Sequence, residues 1–372
     1  MEDAESANDT ERLLRESVAA FVAREGDVKR SRDARERCAG FDPNMWKTMA
    51  ENGWLGLQIS ERNGGSGLGF AEATAMLEEL GKAIVPEPVT ATTLLAGGVL
   101  TYGENVTQNA PLLAQIADGT CVAALAWQER ANDYTPNHIA AKAVEVASGI
   151  HISGTKQFVP AASTASAFIV TALAGESLRA YWVARQTPGI TITTHTTVDA
   201  TSLGTVQFDD VPVGHLVSSV DTAQVINRAV DEARLGASAE LLGTMSQALE
   251  ITLAFVKHRE QFGQPIGKFQ ALQHRLVDLW IQCELSRSSV IRAVQVFDST
   301  TDPRLRGEAV SAAKARCSDA AMLITRQSIQ LHGGIGYTHQ CDIGLYLKRA
   351  LVLSSWLGNA NMQRARFADM AA

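Results

Sequence analysis

A chain of 372 residues, 46% of them hydrophobic, is long enough for two or three domains and a sizeable core. With 33 basic against 40 acidic side chains the net charge is −7, which argues against a dedicated nucleic-acid surface. Five cysteines, Cys38, Cys121, Cys283, Cys317 and Cys341, occur without CxxC spacing, which points to reduced thiols rather than a disulfide framework or a zinc site.

The opening stretch, "MEDAESANDTERLL", is acidic and has neither the basic start nor the apolar run of a secretory signal. No window approaches the roughly 18 uninterrupted apolar residues of a membrane span. The expectation is a soluble, cytoplasmic protein without a nucleic-acid partner.

Helical patterning runs from about residue 8 to 115. Leu13, Leu14, Val18, Phe21 and Val22 recur at three- and four-residue spacing, with Asn8, Asp9 and Thr10 offering N-cap oxygens before them. A second helix around "PNMWKTMAENG" ends at Gly53, and a third follows the glycine-rich run Gly64 to Gly69, which reads as a flexible connection. Between 118 and 217 the pattern changes to short runs rich in Val, Ile, Thr and aromatics: "CVAALAW", "AKAVEVA", "GIHISGTKQFV", "SAFIVTALA", "RAYWVA", "GITITTHTTV" and "GTVQFDDVPV". From Ser218 helical periodicity returns, with long stretches at 221–257, 269–298 and 303–331. The predicted architecture is mostly α with an inserted β-domain, in three segments: 1–117, 118–217 and 218–372.

Two strings carry more chemistry than core helices require. "REQFGQPIGKFQALQHRLVD", from Arg259 to Asp278, joins a cation, an aromatic and two glycines to an amphipathic run. "QLHGGIGYT", from Gln330 to Thr338, ends a helix in a glycine pair. A guanidinium suits phosphate oxygens, Phe262 can lie against a ring face, and Gly263, Gly333 and Gly334 let backbone approach a ligand closely. Taken singly, Arg259 reads as a surface ion pair and the glycine pair as a helix terminator. His332 and His339 beside that turn read first as packing or surface residues.

In their order and separation these strings, with "GWLGLQISERNGGSGLGFAEATAMLEELG" near the start, resemble the acyl-CoA dehydrogenase family across nearly the whole chain. The resemblance implies that family's fold: N-terminal helical bundle, middle β-domain, C-terminal four-helix bundle. It also implies an FAD whose ADP part is contacted by Arg259, Phe262, Gln330 and Gly334 while a neighbouring subunit holds most of it.

The resemblance breaks where the family does its chemistry. Relatives remove the α-proton of an acyl-CoA with a glutamate while flavin takes the β-hydride, and many carry that base in a "YEGT" string. Here Trp356-Leu357-Gly358-Asn359 occupies that place, and leucine accepts no proton. Other relatives carry the base just before an arginine on an earlier helix; here Ala233 precedes Arg234. Glu232 is adjacent, but one helical step turns a side chain by about 100°. The family's Thr-Glu-Pro and Gly-Ser-Asp cradle is replaced by "ALAWQERANDYTP". Its aromatic-x-Thr/Ser is replaced by Phe158-Val159-Pro160-Ala161, and proline offers no donor.

No residue is therefore assigned as catalytic and none as a metal ligand. The pattern of losses resembles the shorter, non-catalytic chain of actinobacterial α2β2 acyl-CoA dehydrogenases of steroid side-chain degradation. That implies a related catalytic partner chain, a bulky cholesterol-type acyl-CoA as substrate, a 2,3-enoyl-CoA product and an electron-transfer flavoprotein as acceptor. Two other readings stand beside it: a self-sufficient dehydrogenase with a displaced base, Glu232 first and Glu240 next, and a flavin-free structural subunit. Broad apolar faces on 269–298 and 303–331 are read as core first and oligomer interface second.

Overall fold

The structure is a computed structural model that describes residues 2–26, 28–37, 41–136 and 138–372, so Cys38 lies outside it. In chain order come α1 (Glu2–Glu25), α2 (Val28–Arg37), α3 (Pro43–Glu51), α4 (Phe70–Lys82), a π-helical turn (Thr90–Ala96), α5 (Gly97–Tyr102) and α6 (Val106–Ala117). The strands follow: β1 (Ala123–Ala126), β2 (Lys142–Val146), β3 (Gly149–Pro160), β4 (Ala167–Ala174), β5 (Ser177–Ala184), β6 (Ile190–Thr196), β7 (Ser202–Pro212) and β8 (His215–Ser218). Next are α7 (Thr222–His258), the short β9 (Glu260–Gln261) and β10 (Gln264–Pro265), α8 (Gln270–Ser299), α9 (Pro303–His332), α10 (Ile343–Ser355) and α11 (Ala360–Ala371). Helices, an inserted sheet and helices again is the expected order.

Local chemistry explains the boundaries. Asp42 caps α3 by accepting from the N–H groups of Asn44 and Met45, Pro43 opens the helix, and Gly53 follows it in the left-handed region at φ 77°. Asp302 and Pro303 do the same for α9. The first helix differs from expectation: it begins at Glu2, so Asn8, Asp9 and Thr10 lie inside it rather than capping it, and Asp9 pairs with Arg12. The preceding alanines and glutamates are good helix formers and carry the helix further back.

The chain divides into two compact units, residues 1–36, 70–85 and 234–372 in one, 37–69 and 86–233 in the other. The second unit holds a sheet of strand order β6-β7-β3-β2-β4-β5-β8, with β1 added parallel to β4. Its buried face gathers Ile152, Phe168, Val170, Tyr181, Val206 and Phe208. Short β8 was not foreseen, because four residues carry no periodicity.

In the first unit, α7 to α9 share one core. Along α8, Leu276, Leu279, Cys283, Val290 and Phe297 are buried, whereas Val277, Trp280, Ile281, Leu285 and Ile291 are exposed, Trp280 by 55%. The helix thus buries one apolar stripe and leaves another uncovered within this chain.

The run Gly64 to Gly69 is more ordered than a flexible connection. The N–H groups of Gly64, Gly65, Ser66, Gly67 and Leu68 all bond to backbone carbonyls between Gly56 and Glu61. A Cβ at Gly65 would stand 2.1 Å from the carbonyl oxygen of Ile59 and 2.4 Å from that of Gly56. Backbone cannot yield as a side chain tip can, so Gly65→Ala is expected to lower the urea unfolding free energy by about 1–3 kcal/mol. An unchanged midpoint and slope would show that the turn relaxes freely.

Candidate functional site

The string from Arg259 folds as a hairpin set on the end of α7. The N–H of Arg259 bonds to the carbonyl of Phe255 at 2.9 Å, and the Arg259 carbonyl accepts from Ile266 at 2.7 Å, closing the base. Between them β9 and β10 pair antiparallel, with Phe262 at φ 54° and Gly263 at φ 78° in the turn. Two successive positive φ values match the twist of a two-residue hairpin; glycine takes that conformation freely, phenylalanine at a steric cost. Phe262 is 91% exposed, and its ring stands edge-on to that of Phe269, with centroids 6.1 Å apart. Arg259 is exposed and has no ion-pair partner among the described residues, so the surface ion pair expected of it alone is not formed.

The second string ends α9. Gln330 is exposed, and its carbonyl accepts the N–H of Gly333, which stands at φ 66°. That N–H is therefore consumed by the helix end. A Cβ at Gly334 would meet nothing within 4 Å, and nearby Tyr337 is 80% exposed.

His332 joins the two strings. It is buried, its Nδ1 lies 2.8 Å from the Ser328 carbonyl, and its ring stacks on Phe255 with centroids 4.3 Å apart at 24°. A carbonyl only accepts, so Nδ1 carries the proton. Phe255 sits one turn before Arg259, so this stack ties the end of α9 to the base of the hairpin. The packing role read for His332 holds, while Phe255 was missed: in the sequence it is one more apolar residue of a long helix. His339 is exposed.

An exposed guanidinium and an exposed aromatic ring suit phosphates and flat rings, and open glycine backbone suits a closely approaching ligand. A proton acceptor is less easily found. Leu357 is buried at φ 58° between α10 and α11. Its carbonyl accepts from Arg234 Nε at 3.0 Å and Gln363 Nε2 at 2.8 Å. Beneath the same turn the fully buried Lys314 reaches the carbonyls of Leu353 at 2.9 Å, Ser354 at 3.2 Å and Gly358 at 3.4 Å. Burial, then the nearby Arg234 charge, pulls the Lys314 ammonium down to about 7. At this turn both cations reach backbone oxygens.

Ala233 is fully buried. The carboxylate of Glu232 is buried too, accepting from Tyr102 Oη at 2.6 Å and Arg228 Nε at 3.2 Å. The Arg228 guanidinium lies 3.5 Å from the Tyr102 ring centroid. Burial and then the Glu232 charge raise the Tyr102 hydroxyl well above its ordinary range, so it stays a donor. Glu240 is paired with Arg349 at 2.6 Å. Two carboxylates named from the sequence are thus engaged by cations and a phenol.

In the sheet, Phe158 and Ala161 both have positive φ, 54° and 57°, around a register shift between Lys156 and Val159. Neither they nor Pro160 brings a side-chain hydroxyl there. Among the described residues no group of three or more His, Cys, Asp or Glu is placed to hold a metal ion. No helix among them is long and apolar enough to cross a membrane.

Burial holds the pKa of His332 below its ordinary value. A depressed folded-state pKa means full stability above the unfolded value of about 6.5 and progressive loss as pH falls through the folded value. Urea melts of the chain and of His332→Phe, which keeps a ring on Phe255, should therefore diverge below about pH 6.5, the parent losing more. Parallel pH profiles would remove His332 from that role.

Similar proteins identify the family. Residues 8–120 match the acyl-CoA dehydrogenase N-terminal domain and residues 223–371 the acyl-CoA dehydrogenase C-terminal domain. The acyl-CoA dehydrogenase IpdE2 of Mycolicibacterium smegmatis is 32% identical, covering 95% of this chain and 96% of its own. The structure of a variant of the Tcur3481–Tcur3483 steroid acyl-CoA dehydrogenase is 28% identical with a TM-score of 0.86, covering 98% of both chains. The ChsE4–ChsE5 complex from Mycobacterium tuberculosis shares the fold, with a TM-score of 0.86 at 23% identity over 97% of this chain and 96% of that one. Members of this family are oxidoreductases acting on CH–CH bonds, and they bind FAD. With both domain matches in order and a relative aligned over almost its full length, the chain belongs to the acyl-CoA dehydrogenase family.

Proposed function

We propose that this chain is the companion subunit of an α2β2 acyl-CoA dehydrogenase and completes the FAD site of a related catalytic chain. Arg259 would take phosphate oxygens of the ADP part, Phe262 would lie against it, and Gln330 and Gly334 would contact it from the end of α9. Bound FAD would supply the hydride acceptor for forming a 2,3-enoyl-CoA. The partner would supply the base.

One observation carries the reading: the groups suited to a cofactor face outward on a braced hairpin, while the carboxylates suited to a base are tied inward. Phe262 is 91% exposed, whereas Glu232 and Glu240 are buried against Tyr102, Arg228 and Arg349. Leu357 and Ala233, at the places where relatives carry their glutamate, offer no proton acceptor. The uncovered stripe Val277, Trp280, Ile281, Leu285 and Ile291 gives an oligomer an apolar surface to bury.

Likeness to IpdE2 and to the Tcur3481–Tcur3483 steroid acyl-CoA dehydrogenase supports a bulky acyl-CoA of the cholesterol or steroid class and a paired-chain assembly. An electron-transfer flavoprotein as acceptor, a cytoplasmic setting and segment boundaries at 117/118 and 217/218 complete the proposal.

Arg259→Ala in the co-expressed complex tests the half-site directly. Loss of a charge-assisted bond worth about 1.5–3 kcal/mol should weaken FAD binding roughly 10- to 150-fold, read as flavin lost on dialysis. Retained flavin would leave the flavin-free structural reading. Glu232→Gln keeps the Tyr102 bond and removes the charge, and turnover of the complex should stay within about two-fold. A yellow single chain whose turnover disappears with that substitution would restore the self-sufficient reading.

A further inference from the structure

Glu129 follows β1, and its carboxylate is held from several sides. Lys156, fully buried in the middle of β3, donates to Oε1 at 2.6 Å. The N–H groups of Ala140 and Ala141, just before β2, donate to Oε2 at 2.7 Å and Oε1 at 3.1 Å. Lys156 also donates to Thr171 Oγ1 on β4 at 3.0 Å. One carboxylate thus pins the approach to β2 onto β3 and β4, close to where β1 leaves the sheet.

An ammonium and two adjacent backbone N–H groups converging on one point form an anion site, irrespective of what fills it. Removing Glu129 would leave the buried Lys156 ammonium without its counter-charge and the buried Ala141 N–H without its acceptor, a costly state that invites a replacement anion. Backbone bonds from Gln157 to Gln128 at 2.7 Å and from Leu173 to Ala141 at 2.8 Å hold both flanks of the site. The donors therefore do not depend on Glu129 alone for their placing.

We infer that Lys156, Ala140 and Ala141 form a carboxylate-binding site that Glu129 occupies as an internal ligand, and that the emptied site takes a small free carboxylate. The filled site locks the start of β2. Burial lowers the Lys156 ammonium to about 8 against the opposing pull of Glu129, so it is still mainly charged at neutral pH.

The test uses the full-length chain, with its partner where co-expressed, and reads amide exchange by mass spectrometry on peptides covering Ala140 and Ala141. Glu129→Ala should speed exchange there at least ten-fold and lower the melting temperature. Formate or acetate at tens of millimolar should reverse both effects, whereas chloride at equal ionic strength should not. Exchange unchanged by the substitution, or restored equally by chloride, overturns the inference. Should Glu129→Ala not fold, the cycle of Glu129→Gln, Lys156→Met and their combination replaces it. Destabilisation of the pair well below the sum of the singles is the expected result, and strict additivity refutes it.

Discussion

The stack of His332 on Phe255 is the contact on which the outward-facing site depends. Each ring belongs to a helix end: α7 gives way to the hairpin, and α9 breaks at Gly333. Helix ends fray unless something holds them, since their last carbonyls have no partner in the helix. Here a neutral imidazole, bonded through Nδ1 to its own helix, packs flat against the turn from which Arg259 emerges. That gives a charged, exposed side chain a rigid base, which lowers the conformational entropy lost when it meets a ligand.

The same molecule treats buried charge in two ways. Glu232, Glu240 and Glu129 are each met by a cation, and Glu232 and Glu129 also accept from other donors, which offsets the cost of enclosing a charge. Among the described residues Lys314 donates to backbone carbonyls and the hydroxyl of Ser318, and it pairs with no carboxylate. The turn at Leu357 is thereby shaped by main-chain oxygens on an internal cation. Its conformation does not rest on the identity of the side chain at that position, which explains how leucine at φ 58° is accommodated with its side chain packed inside.

The uncovered stripe of α8 stands in contrast to that internal order. Val277, Ile281 and Leu285 follow one another at four-residue spacing beside Trp280, so the surface is a continuous ridge rather than scattered apolar atoms. A helix hydrophobic on two faces has two things to pack against, and only one is supplied by this chain.

Sequence alone determined the order of helical and β segments, because periods of 3.6 and 2 are written into the residues themselves. It placed α7, α8 and α9 to within about two residues, and it picked out Arg259, Phe262, Gln330 and Gly334 through two local strings. It could not pair Phe255 with His332, Glu129 with Lys156 or Tyr102 with Glu232, since residues 77, 27 and 130 apart share no local pattern. Nor could it divide α8 into a buried and an exposed stripe, or see that the N–H groups of Gly64 to Leu68 bond back to the preceding turn. Those facts are set by which surfaces meet in three dimensions, and only the tertiary structure decides that, because burial and charge pairing depend on distance through space.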